Sequence, residues 1–351
     1  MPGSTPMIYR HLGKTGLKVS VLSFGTWLTF NSKTPEDTSY KFMVSAFKRG
    51  INFFDCAEVY SRGEAETLVG RAVNRGIAEG VWHRSDLVLS TKIFFGTRPG
   101  PNNIGLSRKH IIEGTRESLA RMQQDYVDLL FCHRPDVATP LEETVRAMSF
   151  CVDQGLAFYW GTSEWSAEQI AEAQCLADRL NLHPPVVEQP EYNLLKRQKV
   201  ELDYLARYES RPGLGLTVWS PLASGVLTNK YAGGHIPEGS RLAAPENAYL
   251  RERYITSPEA VENLAKVERL ATLAKELGIS CSQLALAWVI ANPRVSTLIT
   301  GATSEEQLNE NLSALDNLKL LTPEVMAKID EIFANKPQYP QSEAKVIAMR
   351  R

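Results

Sequence analysis

Short apolar runs alternate with longer runs of helical spacing along most of the chain. The opening is different. Two brief runs, 7–12 and 17–21, flank Gly13-Lys14-Thr15-Gly16 and predict a β-hairpin. Strand-like runs then follow at 21–24, 51–54, 87–93, 126–131, 157–161, 186–189, 214–219 and 295–299. Helical periodicity lies between them, after Pro35, at 65–74, after Ser107, and at 141–153, 166–180, 198–208 and 305–314. In the helix after Ser107, Ile111, Thr115, Leu119 and Met122 share one face. Gly155 marks the end of one helix, and Ser166 with Glu168 the capped, acidic start of the next.

Eight strand-plus-helix units in series, with nearly continuous apolar strands, predict parallel strands covered on both faces. Strict repetition favours an α/β fold of the closed (β/α)8 TIM-barrel type over an open sheet. No Gly-x-Gly-x-x-Gly follows a strand, which disfavours a dinucleotide-binding open sheet. After the seventh barrel strand, 221–258 lacks periodicity and holds Gly225, Gly233, Gly234, Pro237, Gly239 and Pro245, as expected of a lid or binding loop. Two extra helices follow, at 261–277 and 282–291. A polar tail, 336–351, is expected to be mobile or to dock on a neighbour.

Composition narrows this picture by exclusion. The 351 residues carry 39 Lys+Arg against 40 Asp+Glu, for a formal net charge of −1. That balance gives no electrostatic case for nucleic acid or an acidic membrane surface. The length would suit two average domains, but α/β barrels use it for one, and a single barrel domain is expected over about 9–336. Five scattered cysteines, with no Cys-x-x-Cys, suggest neither a disulfide framework nor a zinc site and fit a reducing compartment. No apolar stretch approaches the roughly 20 residues that span a bilayer, and the N-terminus has no signal-like core. A soluble cytoplasmic protein without membrane insertion is the expectation.

Barrel enzymes carry their chemistry at the C-terminal ends of strands. There the sequence sets Asp55 with Tyr60, then Lys92, then His133, on three consecutive units. Singly, each has a plain structural explanation: a turn cap, a rim aromatic, a snorkelling amine, a strand terminator. Together they compose an acid–base device. A phenol in water titrates near 10 and is a poor acid at neutral pH. An adjacent ammonium, Lys92, is expected to lower that value, with Asp55 holding the lysine and His133 bonding the substrate oxygen or relaying the proton. A strand-end lysine also permits Schiff-base chemistry of an aldolase, but that leaves Tyr60 and Trp219 without a role.

The strings Phe53-Phe54-Asp55…Tyr60, Ser90-Thr91-Lys92 and His133-Arg134-Pro135 resemble the aldo-keto reductase superfamily. Gly25-Thr26-Trp27, Tyr159-Trp160-Gly161-Thr162-Ser163, the run Glu188 to Asn193, Trp219-Ser220-Pro221-Leu222 and Gly301-Ala302-Thr303 are most similar to the branch of the voltage-gated potassium channel β-subunits. The likeness runs from about Tyr9 to about Lys336. It implies a hairpin closing the barrel bottom, further helices after the seventh strand and at the C-terminus, and NADPH at the top. It implies a tetrad of Asp55, Tyr60, Lys92 and His133, with Tyr60 as proton donor to a small-molecule aldehyde or ketone. Thr26 and Trp27 would lie near the nicotinamide. Ser163 and Gln189 would hold its carboxamide, and Trp219 would stack on its ring. Ser220, Pro221, Leu222, Ala223 and Gly225 would line the pyrophosphate, with Lys230 and Arg241 facing phosphate. Gly301, Thr303, Gln307, Glu310 and Asn311 would surround the adenosine and 2′-phosphate. A homotetramer, and association with a channel's cytoplasmic domain as an NADPH-binding redox sensor, are implied as well.

Three positions depart from that branch. Glu164 stands where an Arg is expected beside the carboxamide-binding serine, Lys33 where a Gln is expected near the cofactor entrance, and His133 where animal channel subunits carry Asn. The first predicts altered cofactor affinity, and the last favours a working reductase over a slow sensor. The chain opens only a few residues before the hairpin, so no long channel-blocking segment is expected ahead of it. Cys56 and Cys132 adjoin Asp55 and His133 and raise the question of oxidative control, although two buried small residues explain them as well.

Overall fold

A computed structural model describes residues 5–338 except Leu28, Ser32 and Arg211, so most of the polar tail lies outside the described residues. Eight parallel strands close on themselves. They are β3 (Leu22–Gly25), β4 (Phe53–Asp55), β5 (Val88–Ile93), β6 (Val127–Cys132), β7 (Ala157–Ser163), β8 (Val187–Gln189), β9 (Gly215–Val218) and β10 (Thr297–Thr300). β10 pairs with β3 to complete the ring. Every residue of β5 and β6 is buried, the polar Ser90, Thr91, Lys92 and Asp128 included, as expected of strands covered on both faces.

The hairpin, β1 (Tyr9–His11) and β2 (Lys18–Ser20), forms a separate antiparallel pair. Its Leu12 and Val19 pack with Phe53, Val88, Leu129, Phe131 and Val187 from the strands. These side chains plug the barrel from the end opposite the strand termini that carry the chemistry. Gly13 makes the close approach possible: a Cβ there would lie 2.5 Å from the Gly215 nitrogen, and its φ is +59°.

Helices α1 (Glu36–Lys48), α2 (Glu64–Ala78), α3 (Arg108–Met122), α4 (Leu141–Asp153) and α5 (Ala167–Leu180) cover the wall. They are followed by α6 (Leu205–Glu209), α7 (Ala248–Arg251), α8 (Pro258–Glu276), α9 (Cys281–Ala291), α10 (Glu305–Leu312) and α11 (Pro323–Phe333). Ser107, Ser166, Ser257, Ser280, Ser304 and Thr322 each accept a backbone N–H at the start of a helix. Each cap is worth about 1 kcal/mol. Among the described residues no single helix is long and apolar enough to cross a membrane.

Two stretches differ from the sequence pattern. The helix expected over 198–208 splits into a wide turn, Lys199–Asp203, and the short α6. Tyr204 sits at the break and donates its hydroxyl to the Trp165 carbonyl at 2.6 Å, a tertiary bond invisible to periodicity. The region 221–258 is a chain of single turns around α7 rather than open coil.

Glu188 is an anomaly in the barrel wall. It is fully buried on β8, where it takes a hydrogen bond from Thr162 and meets no cation at contact distance among the described residues. Burial pushes its carboxyl up to about 8. The folded chain therefore holds this proton more tightly than the unfolded chain, whose carboxyl titrates near 4.5. Its contribution to stability is full below that value and declines as pH rises toward about 8. Glu188→Gln should flatten that decline and raise the melting temperature at pH 7–8, a gain equivalent to a few kcal/mol. Thermal melts of both proteins across this pH range provide the measurement.

Candidate active site

The four strand-end residues meet at the mouth of the barrel. The β4–β5 register sets Asp55 opposite Ser90, and Lys92 follows two residues on, on the same inward face. The Lys92 ammonium is fully buried and donates to Asp55 Oδ2 at 2.6 Å, the Cys56 carbonyl at 2.7 Å and Tyr60 Oη at 3.0 Å. All three of its N–H bonds are thus used. Asp55 Oδ1 accepts from Ser90 Oγ and from Gln189 Nε2 at 2.9 and 3.1 Å. Burial opposes the lysine charge, but Asp55 and Tyr60 overcome it and hold its pKa above the usual value. A Schiff-base nucleophile is a neutral amine, so a fully engaged, charged ammonium disfavours the aldolase alternative.

Tyr60 sits on the single turn Tyr60–Gly63, where Ser61 and Arg62 adopt φ of 49° and 56°. The expectation that Lys92 would make this phenol acidic is corrected here. Burial is the larger effect and pushes the phenol up to about 12, with Lys92 only partly offsetting it. Tyr60 is consequently protonated at neutral pH.

His133 follows β6 and is tied by its backbone N–H to the Ile93 carbonyl. Its ring stands edge-on to Tyr60, 5.9 Å between centroids, and Nδ1 has no hydrogen-bond partner. Burial, then the Lys92 and Arg134 charges, drive its pKa well below the usual value, so the imidazole is neutral. It offers one N–H donor rather than a proton.

Around this centre, Trp27 is 38% exposed with its ring 6.3 Å from that of Tyr60, and Thr26 is buried with its hydroxyl on the Asp55 carbonyl. Ser163 Oγ donates to the Gln189 carbonyl, and the Gln189 amide nitrogen is shared between Asp55 and Thr217. Trp219 donates its indole N–H to Glu164 at 2.9 Å. Glu164 also accepts the Glu191 N–H and pairs with Lys199 at 2.6 Å. Burial disfavours its charge, yet Lys199 and these donors hold the carboxyl below its usual range.

Past Trp219, Ser220, Ala223, Ser224 and Gly225 all take positive φ, folding Ser220, Pro221 and Leu222 into a tight cradle. Lys230 and Arg241 make no ion pair among the described residues. Burial lowers the pKa of Arg241, and Tyr231, Tyr249 and Tyr254 are its neighbours. At the far end Asn311 donates to the Gly301 carbonyl, and Gln307 accepts from Thr303. The Glu310 carboxylate accepts from Ser280 and Ser282. Lys33 is exposed, with its backbone N–H on Asn31.

Sequence reasoning passed over Phe95 and Arg134. Phe95 lies edge-on to His133 at 5.1 Å, and Arg134 donates to Ser163 at 3.3 Å. Their position just past β5 and beside His133 was the available signal. Cys56 and Cys132 are fully buried, and burial pushes both thiols up, away from the reactive thiolate. Among the described residues no cluster of His, Cys, Asp and Glu is placed to hold a metal.

A model of the Aldo/keto reductase family matches residues 21–334. A protein of Arabidopsis thaliana named "Probable voltage-gated potassium channel subunit beta" is 53% identical over 336 residues, covering 96% of this chain and 99% of that protein. A protein of the same name from Oryza sativa subsp. japonica shows the same identity and coverage.

Removing one partner of a buried ion pair costs about 3–5 kcal/mol because the other charge is stranded. Lys92→Met should destabilise the fold by that order through Asp55, and Asp55→Asn added to it should restore a large part of the loss. Urea unfolding of the two single variants and the double variant is the check.

Proposed function

We propose that this chain, which belongs to the aldo/keto reductase family, is an NADPH-dependent reductase of aldehydes or ketones. The observation that carries the reading is the Lys92–Tyr60 contact of 3.0 Å beside a neutral His133. NADPH, when bound, supplies the hydride. A partly buried guanidinium with no acidic partner among the described residues, Arg241, suits a phosphate, and so does the unpaired Lys230. Trp219, held by Glu164, offers a flat face for an aromatic ring, and Ser163 and Gln189 flank the carboxamide position. The backbone turn from Ser220 through Ala223 to Gly225 suits a pyrophosphate. Gly301 and Thr303 lead into α10, whose N-terminus favours anions, with Gln307 in its first turn and Asn311 near its end bonded back to the Gly301 carbonyl. Thr26 fixes the Asp55 backbone on the nicotinamide side.

The substrate carbonyl oxygen is received by two donors, the Tyr60 hydroxyl and the His133 N–H. Tyr60 transfers its proton to that oxygen as the carbon becomes an alcohol carbon. The phenolate left on Tyr60 is stabilised by the ammonium beside it, and Asp55 keeps that ammonium in place and charged. A phenol titrating near 12 does not lose its proton to solvent at neutral pH, so the acid is present when the carbonyl arrives. General-acid assistance of this kind contributes about a hundred- to ten-thousandfold in rate.

The names of the two plant relatives favour a second reading, a regulatory subunit of a potassium channel that uses bound NADPH as a redox signal. On that reading the chain is a cytoplasmic homotetramer. Co-purification with a channel cytoplasmic domain is its test, and the two roles are compatible.

Tyr60→Phe should abolish NADPH oxidation across a panel of aldehydes and ketones while leaving NADPH binding, followed by fluorescence, intact. Turnover retained by that variant would overturn the reductase assignment.

A further inference from the structure

Glu58 lies two residues before Tyr60, and its side chain is buried away from the proton-transfer atoms. Its Oε1 accepts the backbone N–H groups of Phe94 and Gly96, both at 2.8 Å. Its Oε2 lies 3.4 Å from Nε2 of His110 on α3. His110 Nδ1 meets the Gly105 carbonyl at 2.8 Å, and the Gly105 N–H returns to the Phe94 carbonyl at 2.7 Å. Both ring nitrogens face acceptors, and an imidazolium satisfies both. The segment from Phe94 to Gly105 is therefore fastened at each end to this one pair. Phe95 sits between the two clamped amides, 40% exposed and edge-on to His133.

We propose that Glu58 and His110 are positioning residues that lock Phe95 over the carbonyl pocket and so set affinity for the organic body of the substrate. The proposal rests on the reductase reading above. It identifies aryl aldehydes as the substrate class most sensitive to the lock, because an edge of Phe95 rewards an aromatic partner.

The charges around His110 support a doubly protonated ring. Glu58 faces it from the segment after β4, and Glu113 and Glu117 share its helix. Arg98, in the clamped segment, is paired with Glu117, and Lys109 with Glu113. Asp136, after β6, accepts the Leu106 N–H beside Gly105. Burial opposes the charge, but Glu58, the Gly105 carbonyl and Glu117 hold the pKa above its usual 6.5. The clamp is complete below that value and loosens as pH rises through the raised pKa, when one ring nitrogen loses its proton.

The test uses the full chain with NADPH and two aldehydes, 4-nitrobenzaldehyde and propanal. Glu58→Ala should raise KM for the aryl aldehyde about two- to tenfold, as Phe95→Ala does. The double variant should be no worse than Phe95→Ala alone. The propanal KM and the NADPH dissociation constant should stay put, and the aryl KM of the native chain should climb with pH while that of His110→Asn stays flat. Equal losses for both aldehydes, additive losses in the double variant, or a flat native profile would overturn the proposal. Hydrogen exchange at the Phe94 and Gly96 amides reads the lock without turnover. Protection should drop in Glu58→Ala, or in His110→Asn should the first variant not fold, and unchanged protection overturns the lock even where no aldehyde is reduced. Failure of the reductase reading instead appears as absent turnover in the native chain with protection still dependent on Glu58.

Discussion

One buried ammonium organises the mouth of this barrel. Taking a charge of this size out of water costs several kcal/mol even after relaxation. Lys92 offsets that cost with three acceptors, one carboxylate, one backbone carbonyl and one phenol oxygen. Those acceptors come from the end of β4 and the turn after it, so the lysine is satisfied only when β4 and β5 pair in the observed register. Slipping one strand by one residue would turn Lys92 outward and leave Asp55 without its counter-ion. The same contacts that make the site thus select the strand pairing. The barrel cannot form correctly and leave the site misassembled.

The segments that leave the strands absorb the strain this requires. Left-handed backbone in residues other than glycine costs about 1–2 kcal/mol each. Here it gathers at Ser61 and Arg62 after Tyr60, at Glu164 after β7, and at Ser220, Ala223 and Ser224 after β9. At Glu164 the return is explicit, since the carboxylate collects an indole N–H, a backbone N–H and an ammonium. The acidic residue expected to alter cofactor affinity is paired with Lys199 and also holds Trp219.

Much of the barrel was legible because its rule is local. An apolar strand followed by an amphipathic helix, eight times over, has few alternatives, and serine caps and glycine stops bound the helices. The hairpin was equally plain from Gly13 and Gly16. What periodicity could not supply was tertiary. The break at Tyr204 depends on a carbonyl from a distant turn. The sign of the Tyr60 shift was misjudged for the same reason. An ammonium nearby can be read from spacing, whereas the degree of burial that outweighs it cannot. Phe95 gains meaning only once His133 and the clamped amides are placed beside it.

The two functional readings differ less in chemistry than in the lid. Both proposed readings share a protonated Tyr60 and a neutral His133 at the mouth. On the proposed readings, how long a cofactor stays is a matter for the turns between β9 and α8. They are fastened back to the barrel through Glu191, which takes the Tyr254 hydroxyl at 2.9 Å and pairs with Arg253. The Glu191 backbone N–H in turn rests on Glu164. The carboxylate that steadies the indole and the residue that tethers the lid are therefore joined by one hydrogen bond. On either proposed reading, a change at this tether would reach both Trp219 and the turns after β9 while leaving the Lys92–Tyr60 contact in place.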